Sequence, residues 1–118
     1  MDTTESARLL AAANGATALL DRLDLAALPE LASLHVSTNH RDRWRIGVMA
    51  QLDSYGLSQL ESIDAVRTWA VAVGGALRLD EQDTGEQDKP RRYLAAVTDL
   101  PDGSLFEIWT CLHREPAA

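Results

Sequence analysis

The sequence is short of several things, and each shortage excludes something. Cys111 is the single cysteine in 118 residues, so no disulfide can form within the chain and stability has to come from a packed core. Lysine occurs once, at Lys89, against ten arginines, and the acidic residues leave a formal charge of −7. That balance argues against non-specific attachment to nucleic acid or to an anionic membrane as the main activity. No stretch approaches the ~20 apolar residues of a membrane span. The Ala-rich segment near the start is interrupted by Asn14-Gly15 and by charge. Met1-Asp2-Thr3-Thr4-Glu5 has no basic region of the kind that opens a secretory signal, which together with the lone cysteine predicts a cytoplasmic protein. Phosphate-cradling glycine loops, a serine nucleophile elbow and metal-spaced carboxylates are all missing. The expectation is therefore a protein that is not an enzyme and that carries no cofactor and no metal. The surplus of Arg over Lys, with abundant Ala, matches the codon usage of a GC-rich bacterial genome.

What is there reads as one domain over residues 1–118, long enough to bury about two-thirds of its unfolded surface. Residues 4–23 predict a helix, with Leu9, Ala12, Ala13, Ala16, Leu19, Leu20 and Leu23 on one side. Gly15 weakens its middle by about 1 kcal/mol relative to Ala, so a bend or a later start is expected there. Pro29 stops any helix before it. Residues 31–38 alternate as a strand, with Leu34 and Val36 on one face. Residues 44–52 alternate more cleanly, with Trp44, Ile46, Val48, Ala50 and Leu52 against Arg45, Gly47, Met49 and Gln51.

The best-punctuated segment follows. Ser58 and Glu61 have capping-box spacing, Leu60, Ile63, Val66, Trp69, Ala70 and Val73 form a helical stripe, and Gly74-Gly75 offers a left-handed stop. Leu77 and Leu79 then alternate with Arg78 and Asp80 in a strand. Residues 81–90 form a polar loop, and residues 92–99 and 104–113 form a hairpin across Pro101-Asp102-Gly103. The order α-β-β-α-β-β-β predicts an α+β two-layer sandwich. Its mostly antiparallel sheet of about five strands carries two helices on one face.

In the last strand Phe106, Ile108, Thr110 and Leu112 are the more apolar set and should meet the helices. Leu105, Glu107, Trp109, Cys111 and His113 then fall on the far side, together with Met49 and Arg45. A face mixing Trp, Met, Cys and ionisable groups is a candidate contact surface. The commonest use of such a surface is in a homodimer. The first expectation is thus a homodimeric, protein-binding accessory or regulatory module whose contact residues are Trp109, Leu105, Glu107, Met49, Arg45, Cys111 and His113. A second reading takes Arg41, Arg43, Trp44 and Arg45, with Arg91 and Arg92, as an anion or nucleic-acid site, the two clusters joining into one patch if the strand starts share one end of the sheet. A third places a small molecule or a minor enzymatic activity on the outer face, near Glu107 and His113. Cys111-x-His113 puts a thiol and an imidazole on one strand face, but no second cysteine completes a metal site.

Overall fold

The computed structural model describes residues 4–37, 45–82 and 91–112. Helix α1 (Glu5–Asp21) begins at Thr4, whose hydroxyl accepts from the Ala7 amide at 3.1 Å. The expected bend at Gly15 does not occur. The helix runs unbroken past it, and Gly15 lies on the core side, where an added Cβ would stand 3.7 Å from the Leu100 side chain. Neighbouring Ala12 and Ala16 are wholly buried. The loss of propensity at one residue is outweighed by the packing of this face.

A 3-10 turn (Leu25–Ala27) leads to strand β1 (Leu31–Ser37), which pairs antiparallel with β2 (Gly47–Leu52). Strand β2 thus starts at Gly47, later than the alternation from Trp44 suggests; Trp44 itself lies outside the described residues. Helix α2 (Gln59–Val73) has both bonds of its capping box. The Ser58 hydroxyl accepts from the Glu61 amide at 3.1 Å, and the Glu61 carboxylate accepts from the Ser58 amide at 3.0 Å. The Ser58 amide, and after it the Ser58 hydroxyl, hold the Glu61 carboxyl below its ordinary value of 4.5. At the other end Gly74 is left-handed at φ 66°. The Gly75 amide donates to the Ala70 carbonyl and the Gly74 amide to the Val71 carbonyl, the bond pattern of a Schellman stop.

Strands β3 (Ala76–Gln82), β4 (Arg91–Asp99) and β5 (Leu105–Leu112) then form an antiparallel meander. The sheet order is β1-β2-β5-β4-β3. The α+β class and the two-helix, five-strand composition are as the sequence predicts. The alternation did not foretell that β2 and β5 lie parallel, so the sheet is mixed. The parallel pair follows from the route of the chain. Helix α2 carries it over the places of β5 and β4 to lay down β3 as the far edge, and the meander then returns to fill the gap beside β2.

Both helices cover one face. Val48, Ala50 and Leu52 of β2, Phe106 and Ile108 of β5 and Ala96 of β4 meet Ala12 and Ala16 of α1 and Ala65, Val66, Trp69 and Ala70 of α2. The Trp69 indole N–H donates to the Pro29 carbonyl at 3.0 Å, which ties α2 to the chain entering β1. Thr110 joins the buried row as expected, but its hydroxyl finds no hydrogen-bond partner there.

The α2–β3 junction depends on Gly75. A Cβ on this residue would meet the Val97 carbonyl oxygen at 2.5 Å, whereas one on Gly74 would meet nothing within 4 Å. Gly75→Ala therefore has to move β4 backbone, at a cost of about 1–3 kcal/mol. Gly74→Ala bears only left-handed strain of about 1 kcal/mol. Urea unfolding is expected to rank Gly75→Ala as the more damaging change, and the reverse order would refute the close approach.

The capping box has a pH signature. Because the folded-state pKa of Glu61 is lowered, its stabilisation is complete above the ordinary value and is lost as pH falls through the folded one. The gap in melting temperature between the protein and Glu61→Ala should be open at neutral pH and close well below pH 4.5. A gap independent of pH would mean that the carboxylate is not the capping group.

Candidate functional site

The face of the sheet away from the helices carries the residues that the sequence singles out. Register places Met49 beside Glu107 and Gln51 beside Trp109 across β2 and β5. Across β5 and β4 it places Glu107 beside Val97, Trp109 beside Ala95 and Cys111 beside Tyr93. Arg78 on β3 stands next to Ala95, and Asp80 next to Tyr93. Of the predicted contact residues, Met49, Leu105, Glu107, Trp109 and Cys111 are thus brought onto one face. His113 lies outside the described residues.

Arg78 is the organising charge of this face. Its Nε donates to Asp80 Oδ2 at 2.8 Å and its terminal nitrogen to Glu107 Oε1 at 2.9 Å. Glu107 sits on β5 and Arg78 on β3, so the guanidinium has to pass over β4. Its neighbour there is Ala95, small enough to leave room and only 1% exposed although no described helix covers this face. Glu107 is 4% exposed, and a carboxylate taken that far out of water needs such a partner.

Beside this pair the Tyr93 and Trp109 rings meet edge-to-face, with centroids 5.6 Å apart, a favourable arrangement for two aromatic quadrupoles. Trp109, Tyr93, Met49, Val97 and Cys111 are half-buried, and Leu105 is buried. The face therefore covers much of itself. Its large apolar side chains are mostly withdrawn from water.

Arg45 has a different task from the one expected of it. Its Nε donates to the Gly103 carbonyl at 3.1 Å, and a terminal nitrogen reaches the Ser104 carbonyl at 3.4 Å and the Asp99 carboxylate. It clamps the β4–β5 turn to the entry of β2, where the Leu105 amide also donates to the Ile46 carbonyl at 2.9 Å. Alternation alone could not show this, because all three acceptors lie more than 50 residues away.

The two arginine clusters do not join into one patch. Gly47, at the start of β2, lines up with Leu105 and through it with Asp99, at the end of β4. Arg92, at the start of β4, lines up with Leu112. The two strand starts thus lie at opposite ends of the sheet, some seven residues or roughly 23 Å apart. Arg41, Arg43 and Trp44 fall outside the described residues, and of Arg91 only the backbone is described.

A depression of about 410 Å³ opens beside Arg45 and Arg78, over Val97 and Leu105. Both guanidinium groups at its rim are already bound to carboxylates. Among the described residues no three His, Cys, Asp or Glu side chains are grouped to hold a metal, and no helix is long and apolar enough to cross a membrane.

The feature that sequence reasoning missed lies on the helix side, at the edge. Leu77 and Leu79 read as core residues by alternation, yet they are 44% and 52% exposed, and Val71 of α2 is 84% exposed. Val71 and Leu77 line a shallow trough of about 670 Å³ with Arg67, Ala70, Gly74 and Gly75. Among the described residues no strand pairs with the outer side of β3. Compared with protein-family models, with curated proteins and with solved structures, the chain matches none.

The Arg78–Glu107 pair can be tested directly. Arg78→Ala is expected to destabilise the fold by about 2–3 kcal/mol, since it takes from a buried carboxylate its guanidinium. Adding Glu107→Gln should recover part of that loss, with a coupling of about 1 kcal/mol or more in a double-mutant cycle read by urea unfolding. Additive effects would show that the contact contributes nothing of its own.

Proposed function

We propose that the protein is a non-enzymatic module that acts by binding protein and works as a homodimer, in an accessory or regulatory role in the cytoplasm. The observation that carries this reading is where the apolar surface has been left. Val71 of α2 is exposed, and so are Leu77 and Leu79 of β3, a strand whose outer side has no partner among the described residues. Apolar surface grouped in this way costs a monomer solubility and is ordinarily retained for contact. A second copy of the same chain is the commonest partner for it.

Two surfaces compete for that copy: the open face around Trp109 and the β3 edge. The open face has an aromatic pair, a methionine and an arginine, the residue types that enrich interfaces. Its Leu105 and Glu107 are already buried within the chain, however. Other exposed apolar side chains, among them Leu10, Leu34, Tyr55 and Leu60, lie elsewhere. But Leu77 and Leu79 stand on a strand that, among the described residues, is paired without a break on its inner side only, which favours this edge for self-contact. The open face remains available for a further protein once two copies have joined.

Native mass spectrometry at micromolar concentration is expected to give twice the 12.9 kDa chain mass, with nothing else attached. A monomer at every concentration would overturn the homodimer. A retained small molecule would overturn the protein-binding reading in favour of a ligand on the outer face.

A further inference from the structure

We infer that two copies of this chain join edge to edge through β3, antiparallel about a two-fold axis passing beside Leu79, to make one ten-stranded sheet. The inference rests on the homodimer reading above and says which surface, and which register, forms the contact.

The sheet has two edges, and they differ. On β1 the register shifts between Leu31 and Ser33. Such irregularities bend a strand and spoil it as a template for pairing. Strand β3 pairs with β4 without a break from Ala76 to Gln82, so its outer side presents a regular row of backbone donors and acceptors. Proline and lysine, the residues that blunt an edge, are absent from its sequence, ALRLDEQ.

Symmetry, charge and ladder length then select the register, an axis at Leu77 being excluded because it would pair only residues 76–78 of the strand. A two-fold axis perpendicular to the sheet keeps the helix sides of the two copies together. Residues of like facing must therefore oppose each other, and one residue stands opposite its own copy. Centring the axis on Arg78 would oppose two arginines, and centring it on Asp80 would oppose two aspartates. Like charges directly across a ladder are destabilising. Centring it on Leu79 opposes Arg78 to Asp80 of the second copy, twice over, and brings the two Leu79 side chains together on the helix side. Arg78 is bonded to Asp80 and Glu107 within its own copy, its head turned over β4, so the opposed residues complement each other in charge across the seam and each keeps its partner. On the other face the two Leu79 side chains meet, and the exposed leucines of the two edges come together there.

The test is a cysteine placed at the axis. In a Cys111→Ser background, Leu79→Cys puts two thiols opposite each other, with Cα atoms about 5 Å apart, within reach of a disulfide. Leu77→Cys serves as the register control, because in this pairing it lies about 13 Å from its own copy. Mild oxidation with oxidised glutathione is expected to convert Leu79→Cys to a covalent dimer and to leave Leu77→Cys uncrosslinked. Trp109→Glu should remain dimeric by native mass spectrometry.

Cross-linking at residue 77 as readily as at 79 would overturn the register. Uncrosslinked variants that are still dimeric by mass, or a dimer lost in Trp109→Glu alone, would overturn the edge contact and leave the homodimer standing. A protein that is monomeric before any substitution overturns both.

Discussion

The rest of the structure depends on how closely α2 lands on the sheet. Helix α2 has to cross two strand positions, stop, and reverse into β3 within two residues. A side chain at residue 75 would strike the Val97 carbonyl at 2.5 Å, so only glycine lets the helix end directly over β4. With that contact made, β3 pairs with β4 in one register over seven residues, and the meander returns β5 to lie parallel to β2. The same landing decides what stays outside. Helix α2 covers β4 and β5 with Val66, Trp69 and Ala70, while the β3 leucines beyond its footprint keep about half their surface in water.

The uncovered face shows how a two-layer domain can hold a sheet face without a third layer. A strand face open to water ordinarily carries polar residues, yet here β4 and β5 contribute Ala95, Val97, Leu105 and Trp109. Arg78 resolves the conflict by lying across β4, so that its aliphatic stem can cover apolar surface while its head bonds two carboxylates. The Tyr93–Trp109 contact does similar work one row further along. These long side chains cover the face from within the chain. That is why a surface with the composition of an interface exposes less apolar area than the edge of the same sheet.

How much of this could be read beforehand follows from the range of the interactions. The α2 boundaries were legible because each cap is local: Ser58 and Glu61 are three residues apart, and Gly74 and Gly75 bond back to residues three and five positions earlier. The facing of β5 was legible because alternation is local too, and Phe106 and Ile108 are buried as it requires. The parallel β2–β5 pair was not legible, since a strand's own residues do not record which neighbour it will meet. The clamp that Arg45 makes was not legible for the same reason. Its alternation is genuine, but the acceptors that pull it to the β4–β5 turn come from residues 99–104. Leu77 and Leu79 satisfy the pattern of core residues, and only the footprint of α2 on the finished sheet decides that they stay half-exposed. The candidate site was therefore half legible. The residues of the open face were found, and the apolar edge was not.

The shortages in composition return at that edge. A protein with no lysine and no proline inside a described strand has few ordinary means of discouraging edge-to-edge pairing. Strand β1 is interrupted in its pairing, whereas β3 runs regular to its end. The charges that β3 does carry, Arg78 and Asp80, face the open side two residues apart. Two copies meeting one residue out of register, about Arg78 or Asp80, would set like charges against each other. A pair centred on Leu79 cancels them, which makes one arrangement better than its neighbours. An edge built this way is discriminating as well as available: its charges reject slipped pairings, and its leucines gain only where the charges agree. A closed two-fold pair also uses up the regular edge of both copies and leaves the irregular β1 edges outermost. Association then stops at two, where an unguarded edge would carry on into fibres.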